Sequence, residues 1–140
     1  MPLRVMMVCA AVLGLSAGSI AFAAAPAPAL DYNFFKTRVQ PIFIKNRDGH
    51  ARCVVCHGGA NNALHLAPLP ANGAWSEEDT KNNFAAVSGL VNASDPANSR
   101  LLIHPLAPEA GGDLFHSGGR QFASKDDPDW KTLAQFAGVK

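Results

Sequence analysis

Sulfur is scarce in this chain and unevenly spread. Met1, Met6 and Met7 are its only methionines, and of its three cysteines only Cys53 and Cys56 lie beyond residue 9. With a single cysteine pair, the chain lacks the two pairs from which a structural zinc centre is usually built. An excess of one charge is missing too. Lysine and arginine number 12 against 11 acidic residues, so no basic field points to nucleic acid or to anionic lipid. The apolar stretch from Val5 to Leu15 is shorter than the ~20 residues a membrane-spanning helix needs. No segment alternates apolar and polar residues as a half-buried strand would, and no internal repeat is visible. The expected fold class is therefore all-α.

Near the N-terminus, Arg4 precedes the apolar run, and Ala21-Phe22-Ala23 follows it. A basic start, a short apolar core and an A-x-A site make a secretory signal peptide over residues 1–23. Its removal would take away Cys9, all three methionines and Arg4, leaving 11 basic residues against 11 acidic ones. Residues 24–30, with Pro26 and Pro28, read as a flexible Ala/Pro linker. Residues 31–140 read as one domain, large enough for a modest core. The expected location is periplasmic or otherwise exported, with no membrane insertion once the signal is gone.

Within the domain, Asp31 can cap a first helix that carries Phe34, Phe35, Val39 and Ile42, with Pro41 kinking or restarting it. A short helix holds Cys53 to His57 and stops at Gly58-Gly59. Residues 60–73 read as loop. Ser76 with Glu77, Glu78 and Asp79 opens an acidic, capped helix whose apolar face is Phe84, Val87, Leu90 and Val91. Asp95-Pro96 starts a further helix that runs to Ile103 and ends before Pro105. Residues 111–119 form a glycine-rich loop around His116. Asp127-Pro128 opens a last helix through Trp130, Leu133 and Phe136, closed by Gly138.

The chemistry lies in Cys53-Val54-Val55-Cys56-His57. On a helical turn, positions i, i+3 and i+4 share a face. One short helix can thus present two thiols to the vinyl groups at a haem edge and an imidazole to the iron, and C-x-x-C-H is the attachment pattern of c-type haem. A thioredoxin-like dithiol would need a preceding strand and a βαβ pattern, and neither is visible. A Cys53–Cys56 disulfide closes a very small loop and gives His57 no role. The expected cofactor is one covalent haem c, with Cys53, Cys56 and His57 as cofactor-binding residues and His57 as an iron ligand.

Around this motif the chain resembles a known family. Val39-Gln40-Pro41-Ile42-Phe43, Arg47, Gly49, Arg52, the cysteine motif and Leu64-His65-Leu66 resemble the lead-in and exit of single-haem c-type cytochrome domains in exported bacterial proteins. Ser99-Arg100-Leu101-Leu102, the His116-Ser117-Gly118-Gly119 loop and the stretch from Asp127 to Phe136 resemble the later part of planctomycete-type cytochrome c domains. The likeness covers most of the chain after residue 23. It implies a small class I-like cytochrome c helical fold wrapped round one haem, with long loops and with first and last helices crossing over it. Many such domains supply a methionine to the iron; this chain has none to supply.

An imidazole is the natural substitute. His50 stands too close to the motif to reach the opposite face, and His65 belongs to the exit loop. His104 and His116 lie far enough along the chain to return over the other face. His116 is the expected sixth ligand, because flanking glycines let backbone approach a flat ring and because it falls on the His of the resembling loop. His104 is the alternative, followed by Lys125, His65 or an open site. Arg47, Arg52, Trp75 and Arg120 are candidate donors to the haem propionates. Trp75, Phe84 and Phe115 are candidate walls, and Pro68 or a neighbouring carbonyl a candidate partner for His57 Nδ1. The expected function is electron transfer with redox partner proteins rather than catalysis. The alternatives are a haem protein with an open sixth site, acting as gas sensor or enzyme, and a haem-bearing subunit of a larger redox assembly.

Overall fold

The computed structural model describes residues 29–140, so the expected signal peptide and residues 24–28 of the linker lie outside the described residues. The chain is mostly helical, and its only extended pairings among the described residues are isolated bridges. Five helices carry the fold: α1 (residues 32–44), α2 (Cys53–His57), α3 (Glu77–Ser88), α4 (Arg100–Ile103) and α5 (Pro128–Ala137). No helix among the described residues is long and apolar enough to cross a membrane.

Helix α1 starts where Asp31 accepts the Phe34 amide at 2.9 Å. It runs past Pro41 without breaking. Instead, residues Phe35–Val39 form a wide π turn in which the Gln40 amide reaches back to the Phe35 carbonyl. Proline has no N–H and crowds the carbonyl four residues behind it, and a π turn in front of it relieves that crowding. The expected kink is thus absorbed as a change of helical register.

Helix α3 begins with a reciprocal Ser76–Asp79 capping box. It ends at Ser88, so Leu90 and Val91 lie beyond it rather than on its apolar face. Buried Thr80 and Asn83 face inward instead. Asn83 accepts the Ala67 amide at 2.7 Å, and Gln40 donates to the Thr80 hydroxyl at 3.2 Å. This polar bridge ties α1, α3 and the exit loop together. The Asp95-Pro96 start signal produces only a 3₁₀ turn, Pro96–Asn98. Ser99, fully buried and extended, separates it from α4 and accepts the Asn92 amide at 3.0 Å.

Helix α5 is capped by the Asp127 carboxylate, which accepts the Asp129 and Trp130 amides, and closed by left-handed Gly138. It packs on the π turn of α1, with Phe35 and Phe136 ring centroids 5.8 Å apart. Phe84 joins the same group, 5.4 Å from Phe35 and 6.2 Å from Phe136. First and last helices therefore meet through an aromatic core. Leu102, Leu106, Phe122 and Trp130 continue that core toward the far side of the molecule.

Candidate functional site

Two short pairings frame a cleft. On the motif side, Gly59 donates to the Leu66 carbonyl at 2.8 Å and Leu66 donates to the His57 carbonyl at 3.0 Å, which folds the exit loop against the end of α2. On the other side, Ala107 donates to the Phe122 carbonyl at 2.9 Å and Gln121 to the Pro105 carbonyl at 2.9 Å. That pairing closes the excursion from residue 106 to residue 121 into a loop and brings His116 back over the cleft.

The cleft opens to solvent, with a cavity of about 230 Å³ between its walls. Ile42 and Phe43 of α1, Leu101 of α4, Leu133 of α5 and Phe122 in the segment before α5 supply apolar walls. Cys53, Cys56 and His57 line one part of it, and His104 and His116 also line it. The five residues singled out by type in the sequence therefore meet in one cavity.

Both cysteines carry free thiols. Burial is the largest influence on Cys53 and pushes its thiol above the ordinary value of 9.0, against the opposing pull of its own backbone contact and Arg47. A thioredoxin-like dithiol would need a preceding strand, and the described residues form only isolated bridges.

His57 Nδ1 lies 3.0 Å from the Leu64 carbonyl and 2.9 Å from Asn62 Oδ1. The expected neighbouring carbonyl is that of Leu64, joined by the Asn62 side chain, while Pro68 takes no part. His116 Nδ1 is bonded to the Gly119 carbonyl. In each ring Nδ1 is engaged and Nε2 remains for a ligand, the arrangement that fixes the tautomer of metal-binding histidines. The two rings are nearly parallel, at 11°, with centroids 6.2 Å apart. An imidazole nitrogen binds a transition metal at ~2.0–2.1 Å with its ring centroid roughly 1.1 Å further back, so two imidazoles on opposite sides of one ion stand about 6.2–6.4 Å apart. The centroid spacing of His57 and His116 matches that figure. Among the described residues no group of three or more His, Cys, Asp or Glu side chains is arranged to hold a metal by itself; a haem iron asks the protein for only two ligands.

Other expected residues fall elsewhere. Arg47 is held by Asp127 at 3.0 Å and by Asp129, and stacks over Phe122 at 4.6 Å. Trp75 donates its indole N–H to Ala67, and exposed Arg120 donates to the Leu114 carbonyl. None of the three lines the cleft. Phe84 is in the aromatic core, and Phe115 is 76% exposed. His50 and His65 are exposed outside the cleft. Arg52 does line it, joined by Arg100, which sequence reasoning missed. Gln121 was missed as well. It is buried, its amide donates to the Ala51 and Gly118 carbonyls at 3.3 Å each, and its Oε1 has no partner. It joins the segment before Cys53 to the loop of His116. Comparison of the chain with protein-family models, curated proteins and solved structures finds no match.

Proposed function

We propose that this chain is an exported single-haem c-type cytochrome that transfers electrons between redox partner proteins. The observation that carries the reading is the parallel His57–His116 pair, 6.2 Å apart, in the same cleft as the two motif thiols. Cys53 and Cys56 would hold the macrocycle covalently through their sulfurs. His57 and His116 would offer Nε2 to the iron, with His104 the alternative to His116. The apolar walls exclude water from the ring faces, while Arg52 and Arg100 offer donors to its carboxylates. When bound, the haem supplies a one-electron ferric–ferrous couple, and the protein tunes that couple through ligand identity, burial and hydrogen bonding. Two imidazole ligands would leave no open position for a substrate, which suits a carrier rather than an enzyme. The fold implied is the class I-like one, supported by the meeting of α1 and α5, and the location implied is the periplasm or an equivalent space.

Absorption spectra of the purified protein, oxidised and reduced, test this together with His116→Ala. A low-spin spectrum that becomes high-spin and binds carbon monoxide rapidly in the variant is expected. Rapid carbon monoxide binding by the unaltered protein would instead mean an open sixth site.

A further inference from the structure

Three imidazoles reach the cleft, and the ligation proposed above uses two. The third, His104, sits just past α4 with its Nδ1 bonded to Asp113 Oδ2 at 2.7 Å. Asp113 is itself held firmly. Its amide donates to the Ile103 carbonyl at 2.9 Å, and the preceding Gly112 lies so close to Leu106 that a Cβ there would stand 2.0 Å from the Leu106 carbonyl oxygen. The ring of His104 meets that of His116 edge to face, with centroids 4.8 Å apart and planes at 73°. From its other end His116 is fixed by its bond to the Gly119 carbonyl. A ring held at an edge and at Nδ1 cannot turn freely about its Cβ–Cγ bond, and the plane so fixed lies 11° from that of His57.

We propose that His104, anchored by Asp113, is a positioning residue that holds the ring of His116 parallel to the ring of His57. The proposal rests on the reading of His57 and His116 as the axial pair. Two parallel axial imidazoles split the π-type orbitals of a low-spin ferric iron widely and give an ordinary rhombic paramagnetic resonance spectrum. Crossed imidazoles leave those orbitals nearly equal in energy and move the largest g value upward. Ring orientation is therefore readable without any measurement of activity, and a merely structural role for His104 would not change it.

The experiment records electron paramagnetic resonance and absorption spectra of the haem-loaded protein and of His104→Leu, Asp113→Ala, Asp113→Asn and His116→Ala. His104→Leu and Asp113→Ala should stay low-spin but shift and broaden the largest g value upward. Asp113→Asn keeps an oxygen acceptor for His104 Nδ1–H and should restore the parent spectrum. Asp113 is partly exposed, so its variants remain informative if His104→Leu fails to fold. A parent spectrum in both His104→Leu and Asp113→Ala overturns the positioning role, and so does a high-spin His104→Leu, which would make His104 the ligand. His116→Ala separates the two levels: if it stays low-spin the axial pair itself is wrong, whereas if it turns high-spin while the other variants match the parent, only the positioning role falls.

Discussion

His116 is only partly buried, yet burial is the largest cause holding its imidazole below the ordinary histidine value of 6.5; His104, His57 and Arg120 act in the same direction, and the Gly119 carbonyl opposes them. A ligating imidazole must be neutral, so this environment keeps His116 ready to bind at neutral pH. The sign follows: a depressed pKa means the ring takes up its proton only at a pH below the ordinary value. Acid titration of the ferric protein, followed by absorption, should convert low-spin to high-spin haem only in acid, where the released ring is held off the iron by its proton; loss of the low-spin form at neutral pH would contradict the assignment. Cys53, Cys56, His57 and His116, which share one cleft, could be picked out in the sequence because thiols and imidazoles are rare types with distinctive chemistry. Gln121 and Arg100 were not. Ordinary polar residues signal nothing by type, and their relevance comes from a cavity wall assembled by segments far apart in the chain. The aromatic candidates failed for a related reason: Phe84 could serve a core or a ring wall equally well, and tertiary packing sent it to the core.

Among the elements, those with local signals were the readable ones. The Asp31, Ser76 and Asp127 caps fall where their residue types predict, because a cap is a contact between neighbours in sequence. The π turn before Pro41 and the break at Ser99 were hidden, since each depends on how the chain must lie against the rest. Asn83 was hidden too, placed by spacing on an unremarked face but fully buried in a bridge between α1, α3 and the exit loop. Replacing it with Ala leaves the Ala67 amide without its acceptor, which should cost roughly 1–3 kcal/mol; denaturant unfolding at unchanged m-value would measure it. The loop of His116 depends on a different device. Gly112→Ala drives a Cβ into the Leu106 carbonyl, and overpacking of this kind typically costs ~1–3 kcal/mol. The same unfolding experiment should show that loss, together with weakened His116 ligation in the spectrum; a variant as stable as the parent would mean the loop has room to shift.

At the scale of the whole molecule, the segment before α2 is fastened to the start of α5 by Arg47 with Asp127 and Asp129, and by Lys45 with Asp129 at 2.8 Å. Burial tends to raise the Asp127 carboxyl, but the Arg47 hydrogen bond, the Asp129 and Trp130 amides and the Arg47 charge together bring it below the ordinary 3.8. A carboxylate depressed in the folded state contributes stability above its unfolded value and loses it as pH falls through the folded one. Asp127→Asn should thus cost roughly 1–2 kcal/mol near neutrality, with the difference from the parent shrinking below pH 3.8 in pH-dependent thermal melts. The aromatic core around Phe35, Phe84 and Phe136 lies away from the cleft, while the walls of the cleft come from seven separate stretches of the chain. A haem bound only by the folded state would add stability by linkage; on that reading the haem-free chain should be poorly ordered, and a sharp, native-like circular dichroism melt of that form would argue otherwise. The all-α class was legible from missing strand patterns, whereas the cleft was not, because a cavity is a property of the assembled walls. The most direct measurement is mass spectrometry under denaturing conditions on protein recovered from a cell that matures c-type haem, beside the Cys53→Ala/Cys56→Ala double variant. The account predicts a chain beginning near Ala24 and heavier by one haem, with the increment lost in the double variant; a parent chain of unmodified mass, or a double variant that keeps the increment, would contradict it.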